Sequence, residues 1–247
     1  MRTLQRNWIS WFLLPLILVG MALALIVYVV NNPGGATAGR ALTYPNITLY
    51  FRQHMMMVLA ALCLSIVVGI PAGIMLTRPR LRTLGRVVEN VVNVGQTVPS
   101  LAILALFFVY LGWGFNTAVF ALWLYSILPI LRNTYAGLTS IQGNILEAAR
   151  GMGISPFRVL YRIELPLAMP VIIAGIRTSV VILVGTATLA TFIGAGGLGD
   201  LIATGISVRR DILVLTGAAL SAILAIFLDH VIGQVEAALL SQTERRL

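Results

Sequence analysis

Six long stretches of mostly apolar residues constrain this chain more than any other feature. They run roughly over 11–30, 55–77, 88–111, 115–132, 167–193 and 211–232. A helix needs about 20 apolar residues to cross the hydrocarbon core of a bilayer, and in lipid it satisfies its own backbone hydrogen bonds. None of the stretches alternates polar and apolar residues with period two, as the strands of a membrane barrel do. The sequence therefore predicts an all-α membrane protein with six transmembrane helices.

The first apolar stretch has some features of a secretory signal peptide. Arg2 and Arg6 precede it, and Ala36-Thr37-Ala38 resembles a cleavage site. The apolar region of a signal peptide is about 7–15 residues long, whereas the stretch 11–30 is longer. We therefore expect an uncleaved N-terminal transmembrane helix.

The composition excludes an ordinary soluble enzyme. The chain has 247 residues, of which 59% are hydrophobic and 10% are charged, whereas soluble domains have about 25% charged residues. All 17 basic residues are arginine, and a phosphate-binding P-loop needs a lysine after its glycines. We therefore expect no ATPase site and no cofactor in this chain. Cys63 is the only cysteine, so no internal disulfide is possible, and His54 and His230 are far apart and lack the spacing of metal ligands.

The arginines also predict how the chain is oriented. If the six spans alternate in direction, twelve arginines fall on one side and four on the other, with Arg177 inside or at the edge of the fifth span. The twelve are Arg2, Arg6, Arg78, Arg80, Arg82, Arg86, Arg132, Arg150, Arg158, Arg162, Arg245 and Arg246, and the four are Arg40, Arg52, Arg209 and Arg210. Arginine-rich loops face the cytoplasm, so both termini are expected there. The net charge of +9 then needs no nucleic-acid partner.

Proline, glycine and polar residues interrupt the apolar spans, with Pro99 in the third span and Pro129 in the fourth. Gly69 and Gly73 form a G-x-x-x-G pattern, which favours close helix contact. Polar residues in the third and fifth spans indicate either hydrogen bonds between helices or contacts with a pathway or another subunit. For Arg177 the structural role is favoured over a pathway role. The candidates for a pathway or subunit contact are Asn93, Gln96, Thr97, Pro99, Ser100, Arg177, Thr178, Thr186 and Thr188.

A long polar loop of about residues 133–166 lies between the fourth and fifth spans. Asn144 followed by Glu147 resembles a capping box, which predicts a short helix over about 145–152. Gly153 suits the left-handed end of that helix.

A second helix is predicted in the same loop. Ser155 is its predicted N-cap and Pro156 its first residue. It should run to about Glu164 and be ended by Leu165-Pro166. Two short helices with a sharp turn between them fit an element lying on the membrane surface or a docking site for a soluble partner.

The same loop contains a specific motif. Its residues are Glu147, Ala148, Ala149, Gly153, Ile163, Leu165 and Pro166, and they match every position of the EAA signature of ABC importer permeases. We call residues 133–166 the EAA loop. Further similarity to the glycine betaine, carnitine and choline branch lies in 95–100, 128–135, 174–178 and 192–199. The chain thus resembles this family over about residues 50–240.

The resemblance implies a fold, partners and a mechanism. The fold is the MetI-like fold of type I ABC importer permeases, in a single permease domain with an additional N-terminal helix. The partners are two ATPase subunits that hold ATP and Mg, a solute-binding protein and a second permease subunit, identical or related. The EAA loop carries the coupling helix, in which Glu147 would pair with a basic group of the ATPase or steady the turn. The protein is expected in the bacterial inner membrane as an importer of osmoprotectants.

Three other functions remain open at this point. An importer of an amino acid such as methionine would have the same fold. A membrane-embedded enzyme would need clustered histidine or acidic side chains at the membrane face, and the sequence shows no such cluster. A carrier driven by protons or sodium would work without an ATPase. The glycine-rich stretch 194–199 lacks a nearby lysine and is predicted to be a close-packed turn.

Overall fold

The computed structural model describes residues 8–244, and these residues are almost entirely helical. Four of the twelve arginines predicted to face the cytoplasm, Arg2, Arg6, Arg245 and Arg246, lie outside the described residues. The helices are α1 (Trp8–Asn31), α2 (Ala36–Ala41), α3 (Tyr44–Leu76), α4 (Arg82–Gly95), α5 (Ser100–Leu111), α6 (Phe115–Thr139), α7 (Gly143–Gly151), α8 (Pro156–Val159), α9 (Leu165–Ala187), α10 (Gly199–Ser207) and α11 (Asp211–Glu244). Short 3₁₀ turns lie at Pro79–Leu81 and Thr188–Ile193, and a π turn lies at Leu160–Glu164.

Five of the six predicted spans are confirmed as long apolar helices. These are α1, α3, α6, α9 and α11. The predicted boundaries are wrong for three of them. The helix α3 begins at Tyr44 rather than near 55, α6 continues to Thr139 rather than ending near 132, and α11 continues to Glu244 rather than ending near 232. Arg52 therefore lies within α3 and not before it. A fall in hydropathy marks the edge of the lipid, whereas a helix continues into the polar region as long as its backbone is satisfied.

The third predicted span, 88–111, is interrupted at Pro99 as predicted, unlike the fourth, in which Pro129 lies inside a continuous helix. The third span consists of α4 and α5, whose axes differ by 99°. Pro99 lies directly before α5. It has no N–H to donate and disfavours helical backbone at the preceding residue, so the helix breaks there.

The broken pair nevertheless runs along the length of α6. Near the start of α4, Gly85 faces the ring of Tyr135, close to the end of α6. Gly95 faces Leu128 in the middle of α6. After α5, the N–H of Gly114 donates to the carbonyl of Ile193 beside the start of α6. The pair thus crosses the bundle once, which gives the six crossings that the sequence predicts.

The helices α3, α6 and α9 form the centre of the bundle. A Cβ on Gly69 would lie 3.1 Å from Ile130, and one on Gly73 would lie 2.7 Å from Thr134. The G-x-x-x-G pattern is therefore confirmed as the contact of α3 with α6, since only glycine admits this approach. The helix α1 packs against α11, where its buried Val29 joins Leu213 and Leu220.

Buried serines join the same three helices. Ser65 on α3 and Ser126 on α6 lie 2.6 Å apart between their hydroxyl oxygens. Ser179 on α9 donates to the carbonyl of Ser126 at 2.6 Å. In a membrane such bonds add specificity where apolar packing does not discriminate between neighbours.

The first predicted helix of the EAA loop is confirmed, but its predicted cap is wrong. The helix α7 begins at Gly143, so Asn144 lies inside the first turn and is not its N-cap. The side-chain Oδ1 of Asn144 accepts from the N–H of Ile145, and Gln142, the actual N-cap, makes no side-chain cap bond. The predicted left-handed Gly153 is confirmed, with φ of +73°.

The predicted end of the second helix is also wrong. The helix begins at Pro156 and continues through the π turn into α9 as far as Ile193, so Leu165-Pro166 does not end it. In the π turn the N–H of Leu165 donates to Leu160, five residues earlier. This local widening lets the chain pass Pro166, which has no N–H to donate, without a break. Ser155 occupies the N-cap position without a side-chain bond.

Candidate functional site

The EAA loop is built around the turn at Gly153. The N–H of Gly153 donates to Arg150 at 2.9 Å, and the N–H of Ile154 donates to Ala149 at 3.2 Å. These bonds end α7 as a Schellman motif, which places the residue after the helix in a left-handed conformation. A Cβ on Gly153 would have no heavy atom within 4 Å. The requirement for glycine here therefore comes from the backbone conformation and not from packing.

The outer surface of the EAA loop is open and carries exposed apolar side chains beside charged ones. Glu147 and Ala148 are exposed, whereas Ala149 is buried under α7. Met152 and Phe157 are 72% and 69% exposed, and the ring of Phe157 lies 4.6 Å from that of Tyr161 between centroids. A group of exposed large apolar side chains next to polar residues is typical of a surface that binds another protein.

An ion pair attaches the EAA loop to the bundle. The guanidinium of Arg78, just after α3, donates to the carboxylate of Glu164 at 2.6 Å. Glu164 is buried, so removal of Arg78 would leave a carboxylate without its partner in a site of low polarity. The pair links the last turn of the EAA loop to the end of α3, one of the three central helices.

The remaining motif residues lie at the start of the fifth span. Ile163, Leu165 and Pro166 are half-buried around the π turn and α9. They hold the inner side of the EAA loop, and Glu147, Ala148 and Gly153 form its outer side. Sequence reasoning missed Glu164, which stands between the aliphatic positions of the motif and is the only charged residue among them.

The polar candidates of the third span lie at the break between α4 and α5. Asn93, Thr97 and Pro99 are exposed, and Gln96 and Ser100 are half-buried. The carbonyl of Gln96 accepts from the hydroxyl of Tyr125 on α6 at 3.5 Å. This break therefore presents polar side chains on the surface of the single chain at the level of the apolar spans.

The threonine candidates of the fifth span donate their hydroxyl groups to carbonyl oxygens one turn earlier in the chain. Thr178 donates to Ala174 at 2.9 Å, and Thr186 donates to Ile182 at 2.8 Å. Thr188 donates to the carbonyl of Gly185 at 2.6 Å. None of these hydroxyl bonds joins two helices, which is the role that Ser65, Ser126 and Ser179 fill.

Arg177 pairs with two acidic residues of α11. Its Nε and Nη2 donate to both carboxylate oxygens of Asp229 at 2.8 Å, and its Nη1 donates to Glu236 at 3.2 Å. This bidentate geometry supports the predicted structural role, the joining of α9 to α11. Sequence reasoning missed both partners, although they lie seven residues apart and so on one face of a helix.

The same ion pairs indicate which face of the bundle is covered. The side chains of Arg177 and Asp229 are 38% and 34% exposed, and a cavity of about 460 Å³ opens beside them. Charged groups at this depth almost always face protein or a water-filled cavity rather than lipid. We therefore expect the face that carries Arg177 and Thr178 to lie against another chain or a water-filled path and not against lipid.

No group of three histidine, cysteine or acidic side chains that could hold a metal ion is present in residues 8–244.

The glycine turn at 194–199 is close-packed as predicted. A Cβ on Gly197 would lie 2.9 Å from Met57, and the N–H of Gly197 donates to Gln53 at 3.1 Å. A Cβ on Gly199 would overlap the carbonyl oxygen of Thr188.

Comparison with known proteins identifies relatives of the whole bundle. A family model described as "Binding-protein-dependent transport system inner membrane component" matches residues 69–241. The chain is 45% identical to a choline transport system permease protein of Bacillus subtilis over 195 residues, which cover 79% of this chain and 89% of that protein. It is 46% identical to a glycine betaine/carnitine/choline transport system permease protein of the same organism over 74% of this chain and 84% of that one.

The fold has also been seen in a solved structure. A chain of an inward-facing methionine ABC transporter matches with a TM-score of 0.69 and 23% identity, over 80% of this chain and 99% of that one. At this identity the likeness concerns the arrangement of the helices.

Proposed function

Since the chain belongs to the family of binding-protein-dependent transport system inner membrane components, we propose that it forms the path of an ATP-driven importer for osmoprotectants. The solute class is that of glycine betaine, carnitine and choline. The observation that carries the coupling part of the proposal is the EAA loop, whose motif residues form an exposed helix and turn tied to the bundle through Arg78 and Glu164. The substrate class rests on the relatives, which are 42–46% identical to this chain and are named for choline, carnitine, glycine betaine or osmoprotectant transport. The likeness to the methionine transporter is weaker, with 23% identity.

The proposed partners supply what this chain lacks. Two ATPase subunits bind ATP and Mg and receive the EAA loop of each permease subunit. Glu147, Ala148, Ala149, Gly153, Ile163, Leu165 and Pro166 form this coupling element. A solute-binding protein docks on the opposite side, and a second permease subunit completes the path. The chain lies in the bacterial inner membrane with both termini in the cytoplasm, since arginines concentrate on that side.

The proposed mechanism is a population shift. ATP closes the ATPase pair, which moves the two EAA loops towards each other. Through the Arg78–Glu164 pair this displacement reaches α3, and the bundle moves from inward-facing to outward-facing. ATP drives the change only because the closed ATPase pair binds one state of the permease better than the other. Hydrolysis then resets the inward-facing state.

The proposed path follows the polar surfaces of the bundle. One is the break between α4 and α5, with Asn93, Gln96, Thr97, Pro99 and Ser100. The other is the face of α9 with Arg177, Thr178, Thr186 and Thr188, which fits a path wall or a contact with the second permease subunit. Neither surface could face lipid without leaving polar groups in hydrocarbon.

Reconstitution tests this function directly. The permease, its ATPase and its binding protein are placed in vesicles, and uptake of labelled glycine betaine is measured with internal ATP. We expect uptake that requires ATP and the binding protein, and competition by choline or carnitine but not by methionine. Competition by methionine alone would overturn the substrate class. Uptake driven by a proton or sodium gradient without the ATPase would overturn the importer itself.

A further inference from the structure

A cavity of about 960 Å³ opens at the base of the EAA loop. It lies between the end of α3 and the start of α8, and its lining includes Arg78, Arg80, Arg150 and Glu164. None of the seven EAA motif residues lines it. The surface offered to the ATPase and this cavity are therefore built from different side chains.

The charges of the cavity favour an anion. Arg78 and Glu164 neutralise each other, with 2.6 Å between nitrogen and oxygen. Arg80 and Arg150 are exposed and make no ion pair within residues 8–244. Two guanidinium groups are thus left for a ligand, and guanidinium donors match the geometry of phosphate oxygens.

The rest of the lining is apolar and lies at the end of a membrane span. Met75, in the last turn of α3, is 57% exposed towards the cavity region, and Val159 of α8 is buried below it. The 33 residues of α3 make a helix of about 50 Å, longer than the roughly 40–45 Å of a bilayer with its headgroups. The end of α3 therefore reaches the headgroup layer, where an acyl chain could contact Met75 while a phosphate reaches the arginines.

We propose that this cavity binds the headgroup of an anionic phospholipid of the cytoplasmic leaflet, with Arg80 and Arg150 holding its phosphate. Basic pockets between helices on the cytoplasmic side are known to take such headgroups. The proposal rests on the orientation given under Proposed function, which places this end of the bundle in the cytoplasm. Because Arg150 belongs to α7 and Arg80 follows α3, the lipid would bridge the EAA loop and the bundle beside the Arg78–Glu164 pair.

The test measures lipid bound to the assembled permease and ATPase complex. Native mass spectrometry counts phosphatidylglycerol retained by the wild type and by R80Q/R150Q, with phosphatidylcholine as the neutral lipid. The matched control is R86Q/R132Q, which removes two exposed arginines that do not line the cavity. We expect the wild type and the control to retain phosphatidylglycerol, and R80Q/R150Q to bind it at least about 10-fold more weakly.

Three outcomes would overturn the proposal. The first is equal phosphatidylglycerol binding by R80Q/R150Q and the control. The second is displacement of the lipid by inorganic phosphate or by soluble glycerophosphoglycerol at similar concentration, which would make this a site for free anions. The third is release of the lipid when the ATPase binds, which would make the cavity a protein contact.

A second set of variants protects the test against misfolding. If R80Q/R150Q does not assemble, R80Q and R150Q are measured singly, and each should weaken lipid binding while R86Q does not. ATP-driven uptake is measured separately in the same variants. If the wild type binds no phosphatidylglycerol but transports normally, this inference alone is overturned. If the wild-type permease does not assemble with the ATPase, the proposed function is overturned.

Discussion

Two turns at opposite ends of α6 contain glycines with positive φ, and they differ in what surrounds those glycines. Gly153 in the EAA loop has φ of +73°, and Gly197 in the turn at 194–199 has φ of +97°. A Cβ on Gly153 would meet nothing within 4 Å, whereas one on Gly197 would meet Met57 at 2.9 Å and His54 at 3.3 Å. The first turn is open to a partner, and the second is closed by α3.

The difference shows that a left-handed glycine indicates a turn but not its role. In the closed turn the backbone itself is packed, since the N–H of Gly197 donates to Gln53, and the neighbouring His54 of α3 donates to the carbonyl of Val184 in α9 at 3.2 Å. That turn holds α3, α9 and α10 in place. In the open turn the side chains of Met152 and Phe157 stay largely exposed, although the ring of Phe157 also contacts that of Tyr161. Substitutions in the closed turn should therefore affect stability, and those in the open turn should affect coupling.

Gly199→Ala should have the largest effect on stability. The new methyl group would overlap the carbonyl oxygen of Thr188, which belongs to the backbone and cannot rotate away. We expect a loss of about 3 kcal/mol or more, above the usual cost of overpacking. The measurement is thermal unfolding of the purified permease with size-exclusion chromatography.

Gly185→Ala is the matched control for that substitution. Gly185 lies within a span of the same bundle, but a Cβ there meets no heavy atom within 4 Å. It should unfold at the wild-type temperature. If Gly199→Ala did so as well, the close packing of the turn would be wrong.

The sequence predicts both glycine turns, but it predicts the bend of the third span only in part. Turn positions and spans follow from local patterns, so the glycine turns and five of the six spans could be predicted. The break at Pro99 has a local cause, but its angle of 99° depends on how α4 and α5 pack against α6. The sequence therefore predicted the interruption at Pro99 but not the sharp bend.

The site contacts that sequence reasoning missed join residues far apart in the chain. Arg78 and Glu164 are 86 residues apart, and Arg177 and Asp229 are 52 apart. Single residues such as Arg177 were noticed because a charge in a span is costly. Their partners could be assigned only once the helices were placed side by side. The cap at Asn144 failed for the opposite reason, since the helix begins two residues earlier than predicted and Gln142 is therefore the cap.

Gly153→Val should have a smaller effect on stability and a larger one on coupling. A β-branched residue at positive φ costs about 1–2 kcal/mol, but no neighbouring atom is displaced. We expect the permease to insert and to remain folded, while ATP-driven uptake falls at least about 10-fold (~1.4 kcal/mol of coupling free energy). Uptake and ATPase stimulation are measured in reconstituted vesicles.

The control for Gly153 lies in the same loop. Gly151→Val adds equal bulk two residues earlier, at another open position whose φ is not positive. It should retain most of the uptake. Normal uptake by Gly153→Val, with ATPase stimulation intact, would show that the EAA loop is not the coupling element.

Glu147→Ala should have the smallest effect on stability of the three substitutions and a specific effect on the partner. Glu147 is exposed and makes no ion pair within residues 8–244, so the free energy of unfolding should change by less than about 0.5 kcal/mol. If its carboxylate pairs with a basic group of the ATPase, affinity for that subunit should fall at least about 10-fold in both Glu147→Ala and Glu147→Gln, because a lost charged hydrogen bond costs roughly 1.5–3 kcal/mol. Asn144→Ala, another exposed change one turn earlier, should leave the affinity unchanged. If all three variants bind the ATPase as tightly as the wild type, Glu147 is only a surface residue of α7. The contact of the open turn with its partner would then rest on Met152 and Phe157.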